Sequence, residues 1–442
     1  MTTSASINNN PISNMKKSSG KRVIFASAFG NALEFFDFTV YNFFVIYIGA
    51  LFFPASSDKN MGLLLAFATL GVSFFMRPLG GIIIGTYADK FGRKPAMVLT
   101  ISLMSLGTLL VGIAPTYATA GYLGTLVLVT ARLIQGVAAG GEVGASMSML
   151  VESAPHNRRG FYSSWQLATQ GVAVIFGGGI ALLLTRYLPV ITDNPNVMSE
   201  WGWRIPFFIG VLLAPIGCWL RLGLENEHKT IIEKPRENQP HQNIFWLLKE
   251  NLFNLVAGIL LVIGSTVATY ISIYYYSTYA IASFNMPTEV GYAAMLLAGV
   301  ITFLGSLYAG ILSDKYGRKK LIWISRIVLT ILAYPSFWLI STYHSPAVLL
   351  LTVFVMVFFT TLGAAPTMLV ISELLPTRIR ALGFALVYSI GVAVFGGFAQ
   401  YFATLLVDLT GIATSPSWYL GGAVFISSFS MFMFKEQKHL RH

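Results

Sequence analysis

Gly85-Thr-Tyr-Ala-Asp89-Lys-Phe-Gly92-Arg93-Lys94 returns later in the chain as Gly310-Ile-Leu-Ser-Asp314-Lys-Tyr-Gly317-Arg318-Lys319. Each copy sits between two long apolar segments. Each is followed some sixty residues later by an acid and an arginine at matched spacing, Glu152 with Arg159 and then Glu373 with Arg380. The copies are offset by 225 and 221 residues, half of a 442-residue chain. A polytopic membrane protein built from two parallel halves is most often a secondary transporter.

Composition supports the membrane part of that reading. The chain is 55% hydrophobic and only 11% charged, where a soluble domain carries about 25% charged residues. Apolar runs long enough to cross ~30 Å of hydrocarbon recur along it. They fall near residues 23–48, 61–84, 96–114, 121–149, 161–185, 203–220, 251–279, 290–312, 321–341, 347–371, 381–406 and 417–434. Backbone groups in lipid must bond within their own segment, so these spans are helices. The expected fold is an all-α integral membrane protein with twelve transmembrane helices in two pseudo-symmetric six-helix bundles. Residues 21–220 make the N-terminal bundle and 251–434 the C-terminal one. Residues 221–250 form a cytoplasmic linker, in which Pro235 and Pro240 discourage a continuous helix. Residues 1–20 read as a disordered polar tail and 435–442 as a short second tail, both cytoplasmic.

The net charge of +11 is a matter of topology. With both termini taken as cytoplasmic, 23 of the 29 Lys and Arg fall in cytoplasmic tails and loops. This is the positive-inside bias, and it sets the orientation. It argues against a nucleic-acid partner and for contact with an anionic lipid bilayer. The single cysteine, Cys218, excludes a disulfide within the chain.

The repeated loops have a mechanical reading. Glycines at 85, 92, 310 and 317 permit a tight connection and close helix approach. Asp89 and Asp314 can meet helix N-termini or basic groups, and Arg93 and Arg318 can pair with acids at the end of another helix. Glu152, Arg159, Glu373 and Arg380 belong to the same layer. Together they form an expected cytoplasmic gate that holds helix ends in one conformation and releases them in another. A simple positive-inside anchor is the competing reading.

These loops resemble the major facilitator superfamily. Further segments resemble its metabolite:proton symporter family: Asn31-Ala-Leu-Glu34-Phe-Phe-Asp37-Phe, Arg77-Pro-Leu-Gly-Gly and Arg132-Leu-Ile-Gln135-Gly-Val-Ala-Ala-Gly-Gly-Glu142. So do Arg159-Gly-Phe-Tyr-Ser-Ser-Trp165, Gly202-Trp-Arg-Ile-Pro-Phe207 and Leu375-Pro-Thr-Arg-Ile-Arg380. The family includes bacterial carriers of citrate, 2-oxoglutarate, other organic acids, and betaine or proline. The resemblance implies alternating access, a proton gradient as energy source, and a place in the bacterial inner membrane.

The buried charges point the same way. A charge at membrane depth costs about 2.5–3.5 kcal/mol on insertion scales, so it should line a cavity or have a partner. The acids well inside the predicted spans are Glu34, Asp37 and Glu142, all in the first half. Proton coupling is therefore expected there. Glu34, Asp37 and Tyr41 are spaced to share a helix face. Two carboxylates that close cannot both carry charge cheaply in a low dielectric, so one is expected to hold a proton. Permanent pairing with Arg77 or Arg132 is the alternative.

Arg132 lies roughly 15 Å deep at 1.5 Å per residue, and its fork suits a substrate carboxylate; a helix-to-helix strut is the other reading. Arg77, Tyr41, Gln135, Gln166 and Gln170 are further candidates for substrate contact. Tyr270 and Tyr274 belong to a tyrosine-rich seventh span whose rings suit either packing or a quaternary ammonium group. Gly136, Gly140 and Gly144 form a small-residue stripe for close packing. All six histidines lie outside the spans or at their edges. No metal cluster, cofactor motif, nucleophile–base pair or phosphate-binding loop is recognisable. The expected protein is a monomeric, proton-coupled carrier of a small organic acid rather than an enzyme. A carrier of betaine- or proline-type zwitterions is the alternative, and an exporter of a siderophore or drug a more distant one.

Overall fold

The computed structural model describes residues 20–53, 60–140, 142–217, 248–376 and 379–433. For residues 20–30, Asp89, Arg93, Lys94, Glu142, Val143, Ala145, Ser148 and Ala381 it describes the backbone alone. The tails 1–20 and 435–442 and the linker 221–250 therefore lie outside the described residues, apart from Gly20 and 248–250, which are helical.

Every regular element among the described residues is helical. We label the spans in chain order. Helix α1 runs Gly20–Phe43 and continues as Val45–Phe52. Helix α2 comprises Met61–Phe75 and Arg77–Phe91, and α3 is Arg93–Ile113. Helix α4 comprises Tyr122–Ala139 and Glu142–Glu152, α5 is Arg159–Thr192, and α6 is Gly202–Gly217. The second set is α7 Leu252–Phe284, α8 Thr288–Tyr316, α9 Arg318–Tyr343, α10 Pro346–Leu374, α11 Leu382–Thr410 and α12 Pro416–Met433. Nine of these are long and apolar enough to cross a membrane over their described length, and α1 is a tenth when its bent pair counts as one span. The shorter α6 and the less apolar α12 complete twelve, matching the positions expected from sequence.

Four spans are less regular than their apolar runs suggested. Helix α1 bends by 62° at Phe44. Helix α4 is described in two pieces, the first ending at Ala139 with a turn at Gly140. Helices α7 and α11 each contain a π-helical turn, Ile271–Tyr275 and Val392–Gly396. Such turns rotate the following helix face by one residue, a change that hydropathy cannot register.

The glycines of the repeated motif do two different things. Gly92 and Gly317 join α2 to α3 and α8 to α9 at φ of 94° and 92°, a conformation that side chains with a Cβ rarely adopt. Gly310 permits contact: a Cβ there would run 2.5 Å from Ser164 Oγ on α5. At Gly85 a Cβ would meet nothing within 4 Å among the described side chains. The seam between the halves is uneven. Along α5 and α8, Gly160, Gly171, Gly178, Gly299 and Gly310 all face the opposite helix at close range. Along α2 and α11, close contact is made at Gly71 against Phe398 and Gly397 against Phe74, nearer mid-span than Gly85. The stripe expected on α4 is a packing surface, with Gly136 and Gly140 laid against the α2 backbone at Ser73 and Arg77.

Candidate functional site

A polar network lies inside the first six helices. Asp37 on α1 is 7% exposed, and its Oδ2 accepts a hydrogen bond from Thr108 Oγ1 on α3 at 2.7 Å. Gln135 Nε2 on α4 donates to the same Thr108 oxygen at 2.8 Å. A backbone acceptor, Met104 O, stands 3.0 Å from that hydroxyl. The hydroxyl has one proton and two acceptors in reach. With Asp37 charged, the proton points to the carboxylate. With Asp37 protonated, the carboxyl can donate to Thr108 while the hydroxyl turns to Met104 O. Both protonation states are thus hydrogen-bonded without rearrangement. On α6, Gly210 leaves room for this carboxylate, because a Cβ there would overlap Asp37 Oδ1.

Arg132 lies beside this network and is 1% exposed. Its guanidinium carbon sits 3.8 Å from the centroid of the Tyr41 ring, within cation–π range. Asp37 and Tyr41 act on it electrostatically. Its Nε and Nη2 have no hydrogen-bond partner among the described residues. Burial of a guanidinium is costly unless a counter-charge or acceptor offsets it. The Tyr41 hydroxyl is 2.5 Å from Thr69 Oγ1 on α2, so the ring is pinned beneath the charge.

Towards the second half the α1 surface changes character. Glu34 forms a 3.9 Å ion pair with Arg77 on α2, whose guanidinium also lies 4.4 Å from the Phe74 ring centroid. Tyr270 packs edge-on against Phe38 and Phe74, 6.2 and 5.3 Å between centroids, and stacks on Tyr274 at 5.9 Å. The Tyr274 hydroxyl reaches Thr39 at 3.2 Å. Tyr388 on α11 stands near Arg77, Glu34 and Gln170. Glu34, Arg77, Gln170, Tyr270 and Tyr274 therefore meet at the seam between the halves. Gln135 and Tyr41 belong to the Asp37–Arg132 network instead. Gln166 is tied within the first half, exchanging 2.9 Å bonds with Asn31 and accepting from Ser146 at 3.0 Å. The Glu142 side chain lies outside the described ones.

The halves touch on both sides of this layer. On one side, Gln400 Nε2 donates to Asn42 Oδ1 at 2.6 Å and Asn60 Nδ2 to Asp408 at 3.2 Å. On the side carrying the repeated motifs, the Asp314 carboxylate accepts from Gly160 N and Phe161 N at 2.7 and 2.9 Å, capping the N-terminus of α5. Arg159 reaches Glu373 at 4.0 Å and Arg380 reaches Glu152 at 3.8 Å, each crossing between halves. Arg318 binds Glu373 at 2.6 Å within the second half. The side chains of Asp89 and Arg93 lie outside the described ones.

The family model of the Major Facilitator Superfamily matches residues 27–391 and 287–442. The chain is 32% identical over 415 residues to the citrate-proton symporter of Klebsiella pneumoniae, covering 93% of this chain and 92% of that one. The chain belongs to the Major Facilitator Superfamily. Another superfamily relative, a putative proline/betaine transporter of Staphylococcus haemolyticus (strain JCSC1435), is 32% identical and covers 90% of this chain and 84% of its own. The crystal structure of a D-xylose-proton symporter superimposes with a TM-score of 0.73 at 16% identity, covering 95% of this chain and 98% of that one. That last likeness concerns the fold.

Sequence reasoning passed over Thr108, Gly210, Asn31, Asn42 with Gln400, and Tyr388. An isolated threonine, glycine, asparagine or tyrosine in an apolar run carries little signal. Only the small residue at 210 opposite a buried acid could have hinted at contact, and that pairing needs the fold.

Proposed function

We propose that this protein is a proton-coupled symporter of a small organic acid, of the citrate or other di- and tricarboxylate class, working by alternating access in a bacterial inner membrane. The observation that carries this reading is the pairing inside the first half. Asp37 has hydrogen bonds for both protonation states, and the neighbouring Arg132 has two buried donors without a hydrogen-bond partner among the described residues. Asp37 carries the proton. Arg132 takes the substrate carboxylate, and Arg77 and Gln170 support it from the seam. Protonation of Asp37 leaves the positive charge of Arg132 uncompensated, which favours anion loading. Deprotonation restores the internal counter-charge and favours release.

The gate residues fit the transport cycle. The contacts of Asp314, Arg159, Glu373, Arg380 and Glu152 close the motif side, and Asp89 and Arg93 occupy the matching repeat position. Both termini and this gate lie on the cytoplasmic side, by the distribution of Lys and Arg. The bundles 21–220 and 251–434 rock about the site as a monomer in the bilayer.

A second reading is favoured by one feature. Tyr270, Tyr274 and Tyr388 gather aromatic faces at the seam, a surface suited to a betaine-type cation. Counterflow in proteoliposomes with a panel of labelled organic acids, betaine and proline decides between them. The acid reading expects exchange of a di- or tricarboxylate and acceleration of uptake by an inward proton gradient. Exchange of betaine or proline alone overturns it.

A further inference from the structure

Asp37 and Glu34 line a pocket inside the first six helices. Its walls include Leu33 on α1, Ser105 on α3, Ala139 on α4, and Gly210, Ala214 and Gly217 on α6, and every lining residue belongs to the first half. Asp37 keeps 7% and Glu34 8% of its surface accessible, whereas Tyr41 and Arg132 on the other flank of Asp37 keep 0% and 1%. The α3 residues run from Thr100 to Ser105 and the α6 residues from Gly210 to Gly217. On α6 this is the stretch between mid-span and the motif side, and on α3 it straddles mid-span, on the motif side of Thr108. The pocket therefore lies between Asp37 and that side of the membrane.

The second half carries a different side chain at the equivalent place. At the repeat offset of 225 residues, Ile101 in this pocket corresponds to Arg326 on α9. Arg326 is 1% exposed and donates to Leu261 O at 2.9 Å and Ser265 Oγ at 2.7 Å on α7. A Cβ at Gly264 would come 2.5 Å from its Nη1 and 2.5 Å from Ser427 Cβ on α12. The second half thus places a guanidinium there, bonded to its first helix and bordering a pocket between α9 and α12. The first half has Ile101 at that place, in a pocket lined by two carboxylates.

We propose that Asp37 exchanges its proton with water on the motif side through this intrabundle pocket, so that proton and substrate use separate routes. The inference rests on the proton-symport reading above. Among the described side chains, the charged and titratable groups around Asp37 are Tyr41 on its own helix, Arg132 on α4, and Glu34 with its partner Arg77 on α2. Helix α3 presents the neutral Thr108 and α6 presents Gly210. The seam tyrosines contact Phe38 and Thr39; Glu34 belongs both to the seam and to the pocket lining, whereas Tyr270, Tyr274 and Tyr388 do not line the pocket.

Two variants of the full chain test this in proteoliposomes, on a Cys218→Ala background, with labelled citrate or whichever acid passes the counterflow panel. Ala214→Phe narrows the pocket. It should lower accumulation driven by an imposed pH gradient about ten-fold or more and leave counterflow at equal pH within about two-fold. Ser105→Cys is the gentler probe. A cationic thiosulfonate should react with it from the motif side, lower gradient-driven accumulation similarly, and be reversed by a reducing agent. The proposal is overturned if the thiol does not react, if it reacts only from the opposite side, or if full modification leaves accumulation intact. It is also overturned if modification removes counterflow and accumulation together. Counterflow by the unmodified protein with no response to a pH gradient would instead remove the symport reading on which the proposal stands.

Discussion

At the scale of single residues, the economy of the site lies in Thr108. It connects Asp37 to Gln135 and to a backbone carbonyl, so the acid can change its proton without leaving a buried donor or acceptor empty. Replacing Asp37 with Asn removes the titration and keeps the shape. Asp37→Asn should abolish gradient-driven accumulation while retaining part of the exchange activity, as measured by parallel uptake and counterflow. Uptake that still follows an imposed pH gradient would move the proton elsewhere, with Glu34 next in line. Arg132→Lys tests the neighbour. Lysine keeps the charge but loses the flat stack on Tyr41 and the two-pronged grip. Substrate affinity should fall by roughly ten-fold or more, about 1.4 kcal/mol, as read by competition binding; unchanged affinity would make Arg132 a strut.

At the scale of helices, contact distance is set by glycine. Gly140 lets α4 rest on the α2 backbone beside Arg77, and so fixes where the Glu34–Arg77 pair stands relative to Arg132. Gly140→Val cannot be absorbed there, because the obstacle is main chain rather than a flexible side chain. Overpacking of this kind costs about 1–3 kcal/mol or more. The expected result is a lower thermal midpoint of the purified protein, together with loss of binding. Much of this layer was legible in advance. The stripe of Gly136, Gly140 and Gly144 declared itself by spacing, as did the twelve apolar runs. The π-turns in α7 and α11 did not, because an extra residue in one turn leaves hydropathy unchanged. The deep charges were conspicuous because charge in hydrocarbon is rare. Their partners Thr108 and Gly210 were hidden because an uncharged small residue is ordinary in any span. Gln166 looked like a candidate for cargo by its face, and only the contact with Asn31 reveals how it is held.

At the scale of the whole molecule, the halves meet on the motif side through charged pairs, and the proposed gate is built on them. Glu373 is the hub, with Arg318 at 2.6 Å and Arg159 at 4.0 Å. Its side chain is 16% accessible, so water weakens these contacts only partly. Glu373→Gln removes the charge and should shift the population towards a form open on the motif side. The contact of Glu373 across the halves is the partly exposed 4.0 Å pair with Arg159, and such pairs contribute about 0.2–1 kcal/mol. The expected shift is therefore up to about five-fold in the ratio of the two forms, read from thiol accessibility at the seam. No change in accessibility would reduce the cluster to a topological anchor.

The inequality between the two seams has a consequence for how that opening proceeds. Along α5 and α8 the helices lie nearly backbone to backbone at Gly160, Gly171, Gly299 and Gly310, whereas along α2 and α11 the close contacts among the described side chains are Gly71 with Phe398 and Gly397 with Phe74. Separating the first pair exposes interlocked surface along most of its length, so a rocking motion would keep α5 and α8 together like the spine of a book.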